Sequence, residues 1–517
     1  MHLARTSLLT LSWTLLACGP PDDPGSNTEA TTSTTSAGSS ATTLDETPTT
    51  SLGETTVIAT TDDGGTDSES GGELCGAPGQ VRWIRQFDAA TQTGLNAMSL
   101  AVDGAGNVIL VGQLRQAASF GGETFVPVDE YPDAYVVKFD TEGNHVWSRH
   151  FGGWGEQRIN TVAVDDDGTI ALAGMFSGSI DLGGGPLVSA SFMDGFVANL
   201  TADGEHVWSR SFTSSDKFSV CGRSDVAIAD GATVWLADFR DRSDFGGGPI
   251  GLLGSHNGFA VKFDVTGAHV WSRAMGSGGL GSFETSAVAI DAAGDVWATG
   301  RFENEAVFGE GPPVSVSTST VYVARWSADG EPVDVLLTTG QASTHAPYAS
   351  ALAADANGRV YVAGGFSGQL GFGGEPLMTT GALDGFVATL GGDGAPLWHK
   401  AVGQGAEVNQ ETYEIASNAA GRTAIAGSFA VGIDFGDGVS VAGKPGLDGY
   451  VAKLDVDGSA LWARALGAET WAMAGEVAID DAGAVYVAGE FRGNLTIDGH
   501  MLEMIDEYDT VLLKLCP

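Results

Sequence analysis

From Asp448 to Gly489 the chain alternates apolar and polar residues in short runs, and these runs are separated by glycine turns. The same order of runs recurs along most of the sequence. One run is A-V-D, as in Ala101-Val102-Asp103 and Ala478-Ile479-Asp480, followed by a D-x-x-G turn such as Asp103 to Gly106. The next is V-Y-V-A-G, as in Val360 to Gly364, and the third is G-F-V-A-K-L, as in Gly195 to Leu200. The fourth carries a tryptophan, as in Val146-Trp147-Ser148-Arg149. Period-two alternation bounded by Asp and Gly predicts β-strands joined by tight turns.

The tryptophan fixes the register of the repeat. It stands at Trp83, Trp147, Trp208, Trp271, Trp398 and Trp462, with Asp334 at the equivalent place in one further copy. The steps are 64, 61, 63, 63, 64 and 64 residues. Four strand signals repeated seven times predict an all-β fold, a single seven-bladed β-propeller with four antiparallel strands per blade. The copies are out of phase with the repeat domain's ends. The first element met is a lone fourth strand, Val81 to Phe87, and the last is a third strand, Thr510 to Leu515. The N-terminal strand is therefore expected to complete the last blade and leave no free edge there. By the same register Cys75 and Cys516 meet at the one third-to-fourth-strand connection that is cut, which predicts a disulfide between them. Cys221 is left as an odd thiol, read as a small buried apolar residue or a weakly reactive loop cysteine rather than a metal ligand.

Ahead of the repeats the pattern changes. Arg5 and the apolar run Leu8 to Leu16 read as a signal peptide over residues 1–17, too short to span a membrane permanently. It ends Leu15-Leu16-Ala17-Cys18, which resembles the bacterial lipobox, and that resemblance implies lipid modification at Cys18. Residues 19–74 hold 23 Ser and Thr, six Asp and five Glu, with no Lys, Arg or aromatic residue. Such a segment is expected to be a disordered tether, so residues 18–74 link the anchor to a repeat domain at 75–517. Of the formal charge of −41, the tether holds −11 and Arg5 +1, which leaves −31 on the repeats. That acidity argues against a nucleic-acid partner.

The run F-G-G-G-P-L, followed by D-G-F-V-A-K-L-D and G-x-x-x-W-S-R, resembles the bacterial seven-bladed β-propeller repeat, or SBBP repeat. The resemblance covers about Val81 to Cys516. It implies an extracellular or envelope protein, here at the bacterial outer membrane or cell surface, held to the membrane by its lipid alone. Departures are mild: Asp334 replaces a tryptophan, Asn418 replaces the A-V-D aspartate, and the third copy shortens its turn at Asp230-Gly231.

No motif announces chemistry. Asp165 and Asp455 each begin an aspartate-rich turn, but an EF-hand loop needs glycine at its sixth position and glutamate at its twelfth. Ile170 and Phe176, or Ala460 and Leu466, stand there instead. The D-x-x-G-x-x-x-W run also resembles quinone-dehydrogenase propellers, but their eight-bladed plan and vicinal cysteines are not matched, so no cofactor is expected. His145, His206 and His269 share one repeat position on different blades and read as surface-strand residues. A binding site is expected on the face of blade-joining loops, where Trp154, Lys217, Phe218, His345, Tyr348 and Trp471 collect. Its rim would carry Asn96, Arg158, Arg223, Glu284, Tyr348, Glu411 and Met473. The reading is a monomeric binding or structural module with an envelope protein or polysaccharide as partner. The alternative is a polysaccharide lyase or hydrolase with its site in the funnel.

Overall fold

The computed structural model describes residues 56–59, 75–87, 95–212, 220–239, 242–251, 253–254, 256–277, 281–379, 382–403, 409–505 and 508–517. Every regular element among them is a β-strand. Cys18 and most of the tether lie outside this set.

The strands fall into seven antiparallel sets of four. The first set is Leu95–Val102, Val108–Leu114, Asp133–Phe139 and His145–Phe151, paired in that order. Five more follow, beginning at Gln157–Val164, Val220–Ala229, Phe283–Ile290, Tyr348–Ala354 and Gln410–Ser417. The seventh set is Trp471–Ile479, Val485–Arg492 and Asp509–Leu515, completed by Val81–Phe87 from the other end of the chain. The phase of the repeat predicts that pairing. A single parallel bridge, Leu447↔Trp471, also joins the sixth and seventh sets.

Each first strand lies against the first strands of its two neighbours, and the seventh returns to the first. Burial follows the same cycle. Seven clusters of buried apolar side chains each fill one junction between neighbouring sets. One joins Val111 and Trp147 to Leu172, and another joins Trp83 and Tyr486 to Leu110 and Tyr135 across the first and last sets.

The W-x-R run explains how neighbours lock. The indole Nε1 groups of Trp83, Trp147, Trp271 and Trp398 donate to Thr141, Ala202, Ala328 and Val456 carbonyls in the turn of the next set, at 3.0–3.1 Å. Two residues on, Arg85, Arg149, Arg210 and Arg273 donate to the turn-glycine carbonyls of Gly143, Gly204, Gly267 and Gly330. The turn glycine must be glycine. Gly330 has φ +81°, and a Cβ there would stand 2.6 Å from the Trp271 ring. Where Asp334 replaces tryptophan, Arg325 takes over, pairing with Asp334 and donating to the Gly392 carbonyl.

The glycine-rich insert of each repeat is a small hairpin, such as Ser179–Asp181 with Pro186–Val188. In the sixth set it is continuous with the long strands Thr423–Asp434 and Ser440–Leu454. Its aromatic residue is buried, as at Phe120, Phe245 and Phe372. The imidazoles of His145, His206 and His269 lie over Gly122, Gly184 and Gly247, where no Cβ intervenes.

One expectation is corrected. The tether, read as wholly without structure, contributes a strand, Thr56–Ala59, which pairs antiparallel with Val81–Phe87 from Thr56↔Gln86 to Ala59↔Trp83. Its T-V-I-A sequence is the tether's one β-branched apolar run, and the outer strand offers it unpaired backbone groups. The cysteines meet as the register predicts: Cys75 and Cys516, 441 positions apart in sequence, form a disulfide with Cα atoms 5.7 Å apart.

Candidate functional site

The seven first strands each carry a bulge, for example between Ala97 and Ser99, that re-aims the residues just before it. These are the rim positions. Two of the seven, Asn96 and Arg223, have side chains outside the described set, as does Cys221; Lys217 and Phe218 lie outside it altogether.

The charges expected to be available on the rim are largely neutralised within the protein. Arg158 pairs with Glu156, two residues away on the same loop-to-strand segment. Arg301 donates to both carboxylate oxygens of Glu284, from Nε at 2.9 Å and Nη2 at 2.7 Å. The sequence reading missed Arg301, although the hairpin turn sets it directly across the ladder from Glu284. Arg158 keeps one unused donor, because its Nε is buried without an acceptor.

Tyr348 and Glu411 come together. The Tyr348 hydroxyl donates to Glu411 Oε2 at 3.2 Å, linking the fifth and sixth sets. Burial pushes the Glu411 carboxyl up, against the opposing effects of Tyr348 and His345. Tyr413, on the bulge beside it, bonds Ser428 at 2.6 Å, and burial also raises its hydroxyl. Met473 is buried at its rim position, opposite Glu490 on the next strand. Burial alone pushes Glu490 up to about 7. Trp471 meets Tyr508 edge-on at 6.2 Å, and Arg492 lies over the same tyrosine. Arg301, Glu490, Tyr413 and Tyr508 are thus added to the rim.

Deeper toward the axis, Asp225 ties three sets together. It accepts from Thr161 Oγ1 at 2.9 Å and from the Val288 amide at 2.8 Å. Burial raises its carboxyl, and burial together with Glu414 and Asp225 raises Glu476 on another first strand. Among the described residues no group of His, Cys, Asp or Glu is placed to share a metal ion.

The D-x-x-G turns occupy the opposite face. Lys138 and Lys262, at one third-strand position, donate to Ala202 and Ala328 carbonyls of the next set's turn, and Lys138 also pairs with Asp103. In the second set Asn199 stands in the place of that lysine, and the third set's turn is cut to Asp230-Gly231, both in the left-handed region. A cavity of about 310 Å³ results, lined by Asp165, Asp166, Asp167, Asn199 and Asp230 among others. The turn face is thus less uniform than the repeat implies, and the reason is visible at two positions.

No protein-family model and no curated protein matches the chain. Among solved structures it is similar to a protein of unknown function from Bacteroides caccae, at 11% identity over 64% of this chain and 89% of that one, with a TM-score of 0.31. It is also similar to Sqt1 from Chaetomium thermophilum, at 9% identity over 85% and 98%, with a TM-score of 0.37. A member of the DUF4221 family from Bacteroides vulgatus aligns at 11% identity over 84% and 95%, with a TM-score of 0.32. Similarities at this level do not define a shared fold or function.

Proposed function

We infer that the cycle of seven sheets is a seven-bladed β-propeller of the SBBP-repeat type. We further infer that it serves as a binding module at the bacterial envelope, lipid-anchored through Cys18 and presented on residues 19–74. The observation that carries the reading is the contrast between packing and loops. The W-x-R and turn-glycine positions repeat one set of contacts at most junctions, whereas the rim positions change residue and partner from sheet to sheet. Positions freed from packing are where a binding surface is built. The disulfide supports an extracytoplasmic location, because such bonds persist in oxidising compartments.

Two experiments test this. Labelled palmitate should enter the protein and be lost with Cys18→Ser; label surviving that change would contradict the anchor. The purified full chain should retain a specific component from solubilised native envelope, and retention of none would contradict the module.

One observation favours the enzymatic alternative: the Tyr348–Glu411 hydrogen bond, which pairs a hydroxyl with a carboxyl that burial raises. On that reading the funnel cleaves polysaccharide. Turnover of a glycan panel that disappears with both Tyr348→Phe and Glu411→Gln would establish it, and absence of turnover by the native protein would remove it.

A further inference from the structure

One third-strand position, directly across the ladder from the fourth-strand tryptophan, sends a cation toward the turns of the next set. Lys138, Lys262, Lys453 and Lys514 stand there in the first, third, sixth and seventh sets. Their ammonium groups donate to the Ala202, Ala328, Gly483 and Thr141 carbonyls at 3.1, 3.2, 2.6 and 3.3 Å. In the fourth set Arg325 does the same to the Gly392 carbonyl. In the fifth set Thr389 replaces the lysine, and Arg359 supplies the charge, pairing with Asp355 beside Gly421 of the sixth. The second set departs from this rule. Asn199 stands opposite Trp208, and among the described residues no cation takes its place.

What lies there is the cavity of about 310 Å³, inside the range of roughly 300–1,000 Å³ typical of small-molecule sites. Asp165, Asp166, Asp167 and Asp230 line it, together with Val207 and Val265. Within the described protein no salt bridge reaches any of these four carboxylates. The neighbouring cations are committed elsewhere, Lys262 to Ala328 and Arg210 to the Gly267 carbonyl at 3.1 Å. Two buried polar groups lack partners at the same junction. Asn199 is 1% exposed and lines the cavity, and its side chain accepts one hydrogen bond, from Thr233 Oγ1 at 3.0 Å. The other end of that amide has no partner. Trp208 Nε1 is buried without an acceptor, whereas Trp147 and Trp271 donate to the Ala202 and Ala328 carbonyls. The carbonyl at the corresponding turn position belongs to Val265, on the cavity wall, and it receives neither indole nor ammonium.

We propose that this turn-face cavity binds a small aliphatic diamine, with one ammonium in the place that lysine holds in the sibling sets. The site is separate from the loop face, and the ligand is distinct from the envelope component assigned there. An ammonium donates three hydrogen bonds, and the Val265 carbonyl, the Asn199 amide oxygen and one carboxylate supply three acceptors. Turning the Asn199 amide over presents Oδ1 to the cavity and keeps the Thr233 bond, with Nδ2 donating to Oγ1. Four carboxylates exceed what one ammonium balances, which selects a ligand with a second. Its methylene chain packs on Val207 and Val265, as a lysine stem packs on apolar surface. A metal ion is disfavoured, because among the described residues no three carboxylates are placed to share one.

The test measures binding of straight-chain diamines of three to five carbons to the full chain, by calorimetry at low ionic strength, where charge pairing is least screened. At least one diamine should bind at a single site, and its doubly acetylated form should not. Asn199→Lys should abolish binding and raise the melting temperature, because the new ammonium reaches the Val265 carbonyl as its counterparts reach theirs. Asp166→Asn combined with Asp230→Asn should weaken binding by about tenfold, and asparagine tolerates the left-handed backbone at Asp230. Asp457→Asn, on another turn, should stay within about twofold, which separates the site from general attraction to an acidic protein. The proposal is overturned if no diamine binds, if the acetylated form binds equally, or if Asn199→Lys and the paired aspartate variant both bind as the parent does. Tighter binding of calcium than of any diamine would also overturn it, as would binding of a lysine-containing peptide without binding of free diamine.

Discussion

At the scale of single residues, the same amino acid does opposite work according to its register. Trp271 lies buried against Gly330 of the next sheet, while Trp154 stands in solvent. Trp271→Ala is expected to cost about 3–5 kcal/mol in chemical denaturation. Gly330→Ala should cost about 1–3 kcal/mol, because φ +81° and the 2.6 Å approach to the indole both oppose a Cβ. The two losses should fall short of additive, since they strike one contact. Glu490 makes a pH-dependent prediction. Its folded value of about 7 lies above that of an unfolded glutamate, so the folded state holds the proton more tightly. The resulting penalty is absent below about pH 4, grows as pH rises to about 7 and is then constant, on the order of 3 kcal/mol. Glu490→Gln should therefore raise the melting temperature at pH 8 and leave it nearly unchanged at pH 4. A gain of equal size at both pH values would refute the assigned burial.

At the scale of elements, the strands and their order were legible because alternation and turn residues repeat with one period. The lone strand Val81–Phe87 could be assigned to the last sheet from phase alone, and the Cys75–Cys516 bond came with it. Reducing and alkylating that bond should lower stability by at most about 5 kcal/mol, read as a shift in the denaturant midpoint. No shift would mean that the strand pairing holds the seam unaided. Other features were not legible, for definite reasons. The salt bridge of Glu284 with Arg301 needs the hairpin register, not residue identity. The insert hairpins are two to four residues per strand, too short for alternation to declare itself. Thr56–Ala59 is a four-residue apolar run in a polar tether, and only an available strand edge gives it a partner.

At the scale of the whole molecule, a repeating scaffold carries two unlike faces. Indole and turn glycine meet at every junction but the one where Asp334 stands, and each sheet junction is filled by its own apolar cluster. The loop face carries Tyr348 with Glu411, Glu284 with Arg301, and the exposed Trp154. The turn face carries repeating lysine and aspartate contacts, interrupted at the acidic cavity beside Asn199. Sequence reading located the faces, but it could not show which rim charges are already spent within the protein.

The central claim is that the loop face binds an envelope component. It is tested most directly by measuring retention of native envelope material on the full chain and on two variants of equal thermal stability. One carries Trp154→Ser with Arg158→Glu on the loop face, and the other Asp166→Lys with Asp457→Lys on the turns. The account predicts that binding falls about tenfold or more in the loop variant and stays within about twofold of the parent in the turn variant. Loss confined to the turn variant, with the loop variant binding as the parent does, would contradict it.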